Sequence, residues 1–153
     1  MEQDKLAPLQ DEAWSGFVRT HALLYRELGR RLVRSHGMPL STYEVLLRLA
    51  WADKTGLRMS DLAQQVDMTS GGLTRLADRL ERDGLITRTR SEEDLRGYHA
   101  RITPAGRRQL RAANRRHLKD VRELFLDNLT SDDLQALADI WRRLNAANDH
   151  LTH

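Results

Sequence analysis

Apolar residues recur at spacings of three and four along most of the chain, a period that predicts amphipathic helices. Trp14, Phe17, His21, Leu24, Leu28 and Leu32 form such a stripe in a long first helix over 11–36, which Gly37 and Pro39 end. Ser41 followed by Glu44 has the capping-box pattern and predicts a second helix carrying Val45, Leu46, Leu49 and Ala50. A turn-rich cluster at 53–56 and a very short strand at Leu57, Arg58 and Met59 come next. Ser60 is then expected to cap a short helix holding Leu62, Ala63 and Val66. A further helix, capped by Thr69 or Ser70, sets Leu73, Leu76, Ala77 and Leu80 on one face and ends at Gly84. From Leu85 the period changes to alternation, through Arg90 and again over 98–102, with a polar loop at 91–97 between: a hairpin. Thr103-Pro104 starts another long helix, which Asn128-Leu129-Thr130-Ser131 breaks. Leu134, Leu137, Ile140, Trp141 and Leu144 stripe the last one.

Short helix, amphipathic helix and hairpin in that order, over 60–103, predict a winged helix-turn-helix. The fold class expected is mainly α with a small β-hairpin wing (α+β). A helix entering a DNA groove holds one face on a core and presents the other to bases and phosphates. Here the free face of the helix at about 70–83 carries Gly71, Thr74, Arg75, Asp78, Arg79 and Arg82. Thr74 and Arg75 sit near its N-terminus, where base edges are met, and Arg75 is the expected base contact. Gly71 and Gly72 either permit close approach to DNA or soften the turn before the helix. Asp78 is expected to orient Arg75 or Arg79. In the wing, at about 85–102, Arg88, Arg90 and Arg96 are candidates for a narrow minor groove, with Asp94 as partner for Arg96 or Arg90. Beside Glu92 and Glu93 these charges also read as a merely solvated loop.

Composition changes this picture little. The 153 residues, 40% hydrophobic and 31% charged, suit one folded domain, 1–153, with a winged lobe over 41–103. Three long stripes exceed what so small a lobe can cover, so 11–36 and 104–149 are expected to pair two copies of the chain; a monomeric bundle is the alternative. A net charge of +3 is too small to argue for nucleic acid by itself, so placement of the bases carries the case. Arginine is used almost to the exclusion of lysine, which occurs only at Lys5, Lys54 and Lys119. That bias suits phosphate and guanine, and GC-rich coding produces it equally well. The absence of cysteine excludes disulfides and thiolate metal sites, and the six histidines lack ligand spacing, so no cofactor or metal is expected. No nucleophile-base pair or phosphate loop supports an enzyme. The polar start has no signal-like pattern and no apolar run is long enough to span a membrane, so a cytoplasmic location is the expectation.

The segments LTRLADRLERDGLITR, Asp94-x-Arg96 and Ile102-Thr103-Pro104-Ala105-Gly106, set in this order of elements, resemble the MarR family of bacterial transcription regulators, and the likeness spans nearly the whole chain. The resemblance implies a homodimer on double-stranded, pseudo-palindromic promoter DNA. It implies a repressor released by a small aromatic or anionic effector. It implies recognition through Ser70, Thr74 and Arg75 and wing contact through Arg96, with Leu95 standing where the family often has a second base. It also places an effector pocket near the first, second and fifth helices, for which His21, Tyr25, Tyr43 and Trp51 are the candidates. The rival expectations are a winged helix that binds an acidic protein and a small-molecule-binding protein without DNA affinity.

Overall fold

The computed structural model describes residues 5–52, 55–90 and 97–151. Along the chain run α1 (Pro8–His36), α2 (Leu40–Trp51), β1 (Leu57–Arg58), α3 (Met59–Gln65), α4 (Ser70–Arg82), β2 (Ile86–Arg90), β3 (Tyr98–Ile102), α5 (Pro104–Leu124) and α6 (Ser131–Ala147). Short 3₁₀ turns follow α5 at Leu126–Asn128 and α6 at Asp149–Leu151. The fold is mainly helical with a small antiparallel sheet in the order β1-β3-β2. Leu57 pairs with Ala100, and β2 runs against β3 from Ile86 opposite Ile102 to Arg90 opposite Tyr98.

Two compact units result, one from Tyr25 to His117 and one from the segments up to Leu24 and from Leu118 onward. The boundaries fall inside α1 and α5, so the first unit is wider than the lobe expected over 41–103. Its core joins Leu32 of α1, Val45, Leu46 and Leu49 of α2, Leu62 of α3, Leu73, Leu76, Ala77 and Leu80 of α4, Ile86 of β2, Ala100 of β3 and Leu110 and Ala113 of α5. The helical stripes read from the sequence are therefore the buried ones in this unit. In the terminal unit they stay open: Trp14 is 59% exposed, Trp141 39% and Leu144 48%. Phe17 and Trp141 meet at 5.6 Å between ring centres, and α6 buries no residue fully.

Three helix starts differ from expectation, and those of α2 and α3 have the same cause. Helix α2 begins at Leu40 behind Pro39, whose φ of −59° and ψ of 148° place it as N-cap, so Ser41 lies inside the helix and forms no capping box with Glu44. Helix α3 begins at Met59 directly off β1, so Ser60 is helical and Arg58, which has no side-chain acceptor to offer, holds the cap position. In each case the preceding backbone already sets the entry angle, and the polar residue arrives two positions late. Helix α1 likewise starts earlier, with Pro8 in the first helical turn.

The turn between α4 and the sheet is tightly determined. Gly84, at φ 71°, follows the C-cap Asp83. Its N–H donates to the Glu81 carbonyl at 3.0 Å, and the Leu85 N–H to that of Leu80 at 2.8 Å. This is a Schellman closure, which needs a left-handed residue at that place. The Thr103 hydroxyl donates to the Gly84 carbonyl at 2.7 Å and accepts from the Gly106 N–H at 3.0 Å, so one side chain caps α5 and anchors it to the turn. A Cβ at Gly106 would stand 2.2 Å from the Leu85 carbonyl oxygen. Only glycine lets α5 approach the strand this closely.

Candidate nucleic-acid interface

Helix α4 has one buried and one exposed face, with Gly72 and Glu81 between them. Leu73, Leu76, Ala77 and Leu80 are buried, whereas Ser70, Gly71, Thr74, Arg75, Asp78, Arg79 and Arg82 are exposed. Thr69 rather than Ser70 is the N-cap, its hydroxyl accepting from the Gly72 N–H at 3.1 Å. That bond separates the roles of the paired glycines. A Cβ at Gly72 would meet the Thr69 hydroxyl oxygen at 3.0 Å, so Gly72 serves the cap. A Cβ at Gly71 would meet nothing within 4 Å. The packing gives no reason for glycine there, and the position stands on the face left open to a ligand.

The side chains of that face differ in what they can still offer. The Thr74 hydroxyl donates to the Ser70 carbonyl at 2.8 Å, so it retains lone pairs and a methyl group but no proton for a base. Neither Arg75 nor Arg79 has a hydrogen-bond or ion-pair partner among the described residues, so their guanidinium donors are uncommitted. Asp78 does not pair with either, contrary to expectation. It accepts instead from Arg88 Nη2 at 2.6 Å.

Arg88 lies at the centre of the local network. Its guanidinium also donates to Glu81 Oε2 from Nη2 at 2.7 Å and from Nε at 3.1 Å, and its backbone N–H donates to Glu81 Oε1 at 2.9 Å. The side chain is 20% exposed. Strand alternation explains the direction: Arg88 shares the face of the buried Ile86, and that face meets α4. Hydrogen bonds from Arg88 hold the Glu81 carboxyl below its ordinary range, against the opposing effect of burial. Arg88 is thus occupied in joining the first wing strand to α4. Arg90, at the strand end, is exposed and has a long contact, 3.5 Å, from Nε to the Tyr98 hydroxyl. Asp94 and Arg96, with Glu92, Glu93 and Leu95, lie outside the described residues.

The four ring residues expected near an effector differ in exposure. Tyr43 is 4% exposed, its hydroxyl donates to Asn114 Oδ1 at 2.6 Å, and its ring lies 4.6 Å from that of His117. It is a satisfied core residue. Trp51, 67% exposed, stands two helical turns away with the Arg48 guanidinium 5.4 Å over its ring. Tyr25 is exposed on α1, its hydroxyl raised in pKa by desolvation and then by Glu44 and Asp67. His21, in the terminal unit, stacks with Phe17 at 6.1 Å. None of the four borders the cleft of about 290 Å³ that opens between the first turn of α2 and the last turn of α4. Sequence reasoning missed that cleft because its walls come from segments far apart in the chain, 36–42, 79–85 and 109.

Comparison with known proteins places this geometry. The model of the MarR family matches residues 40–98. The transcriptional regulator PapX of Escherichia coli is 31% identical over 115 residues, 73% of this chain and 68% of that protein. Among solved structures, the MarR family regulator Sco3205 of Streptomyces coelicolor, crystallised in complex with DNA, is 31% identical with a TM-score of 0.84, covering 94% of this chain and 89% of that one. AbsC of the same organism, also a MarR family transcriptional regulator, is 28% identical with a TM-score of 0.83 over 96% and 97%. The fold is thus one shared with known regulators, and the chain belongs to the MarR family of transcriptional regulators.

Proposed function

We propose that the chain is a cytoplasmic, homodimeric repressor that reads a pseudo-palindromic promoter site with α4 and releases it when a small aromatic or anionic effector binds. The observation that carries the DNA half is the open face of α4: Gly71 with no neighbour, Ser70 and Thr74 beside it, and Arg75 and Arg79 with uncommitted guanidinium groups. A likeness of 31% identity to a regulator crystallised on DNA supports the same reading. Arg75 is the base reader, Arg79 and Arg90 are phosphate contacts, and Arg96, with Asp94 as its partner, is the minor-groove clamp. Arg88 contributes indirectly through Glu81 and Asp78.

The exposed aromatic stripe supports the dimer. Trp14, Phe17, Ile140, Trp141 and Leu144 form a broad apolar surface in the terminal unit, of the kind that self-association covers. The effector half rests on the family resemblance, with His21, Tyr25 and Trp51 as the exposed ring residues among its candidates.

Titration of the upstream promoter DNA by fluorescence anisotropy tests the reading. Arg75→Ala is expected to weaken specific binding by about 1–3 kcal/mol and to relax discrimination at one base pair of each half-site. Arg96→Ala is expected to lower the salt slope by about one per subunit. Unchanged affinity and selectivity in Arg75→Ala would remove α4's assignment as the reader.

A further inference from the structure

The cleft beside α2 has a composition that the DNA-reading role does not use. Its floor is buried and apolar, formed by Met38, Leu80 and Leu85. Thr42, 6% exposed, also lines it, and its hydroxyl has no hydrogen-bond partner among the described residues. The hydroxyl keeps access to solvent, and its hydrogen-bonding capacity is open to whatever enters the cleft.

Two opposed helix ends border the same space. Helix α2 begins there with Pro39 as N-cap and no side-chain cap, and the N–H groups of Leu40, Ser41 and Thr42 have no acceptor among the described residues. Helix α4 finishes there with Asp83 as C-cap. The first end favours an anion and the second a cation. The side chains repeat that division: Arg79 and Asp83 both line the cleft, one helical turn apart, yet form no ion pair with each other or with any described residue.

We propose that this cleft binds a small zwitterion, a free α-amino acid with an apolar side chain. Its carboxylate meets Arg79, the Thr42 hydroxyl and the first turn of α2; its ammonium group meets Asp83; and its side chain lies on Met38, Leu80 and Leu85. A simple carboxylate leaves Asp83 facing the anion without compensation, and a simple amine does the same to Arg79. The volume, about 290 Å³, equals roughly ten water molecules and accepts a ligand of leucine's size. Because Arg79 also stands on the exposed face of α4, an occupied cleft draws it away from phosphate, a consequence that rests on the DNA-binding reading above.

The test uses the full chain labelled with ¹⁵N. Leucine is titrated against amide spectra and by calorimetry, beside 4-methylpentanoate, which lacks the ammonium, and 3-methylbutylamine, which lacks the carboxylate. Leucine is expected to shift the amides of Leu40, Ser41 and Thr42, and each analogue to bind at least about tenfold more weakly. Arg79→Gln and Asp83→Asn are each expected to lower leucine affinity about tenfold, and Thr42→Val less, with the rest of the spectrum unchanged. Silence of those amides at the highest soluble leucine overturns the site, as does equal binding of either analogue or indifference to both charge substitutions. Anisotropy on promoter DNA separates the two readings. Leucine binding without any duplex affinity leaves the cleft standing and removes the DNA role; duplex affinity with silent amides does the reverse.

Discussion

Replacing Arg88 by alanine separates a strut from a phosphate contact. The substitution removes guanidinium hydrogen bonds of 2.6, 2.7 and 3.1 Å and leaves Asp78 and Glu81 without their shared cation. Fully buried, bonds to charged groups contribute about 1.5–3 kcal/mol each. Here the Glu81 and Asp78 side chains are 38% and 47% exposed, so solvent screening reduces each to a fraction of that. A total of about 1–2 kcal/mol follows, which for a chain of this size lowers Tm by roughly 2–8 °C. Thermal melts read that loss, and a double-mutant cycle with Glu81→Gln should show a coupling of at least about 0.5 kcal/mol. DNA titrations across salt supply the other arm. A strut leaves the slope of affinity on salt unchanged, whereas a phosphate contact lowers it by about one. An unaltered Tm together with a reduced slope would refute the reasoning and return Arg88 to the DNA surface.

Three further outcomes are expected. Glu81 has a folded pKa below its unfolded value, so its contribution is complete above the ordinary carboxylate range and is lost as pH falls through the lowered value. The Tm difference between wild type and Glu81→Gln should therefore narrow below about pH 4, and a difference constant to lower pH would contradict it. Gly106→Ala should lose about 1–3 kcal/mol in urea unfolding, since its methyl group would lie 2.2 Å from the Leu85 carbonyl oxygen and 2.8 Å from Ile102. Trp141→Glu should weaken self-association by an order of magnitude or more in sedimentation, because it sets a charge in the exposed stripe that contains Phe17. A self-association constant unchanged from wild type would place the interface elsewhere.

How legible all this was depended on the range of the interaction. The buried face of α4 was plain because a 3.6-residue period needs only the residues themselves, and Gly84 and Thr103-Pro104 were plain because caps are local. The starts of α2 and α3 were misread for the same reason: Ser41 and Ser60 match cap patterns, while Pro39 and the end of β1 had already set the chain's direction. Arg88 was read as a wing charge because its partners lie 7 and 10 residues back, across a change from helix to strand. A signal was present, since alternation from Ile86 puts Arg88 on the inward face. The arginines of α4 could be assigned to an exposed face, but that Asp78 would turn to Arg88 depends on where β2 crosses the helix.

Gly71 has one more implication. A residue with open space around it is unconstrained by packing, and alanine there would favour the helix by about 1 kcal/mol. The fold forgoes that stability at a position where it gains no contact in return. Side chains can therefore be exchanged at Gly71 without disturbing the core. If α4 reads DNA as proposed, exchanges at this one site change the reading face while the scaffold beneath it stays the same.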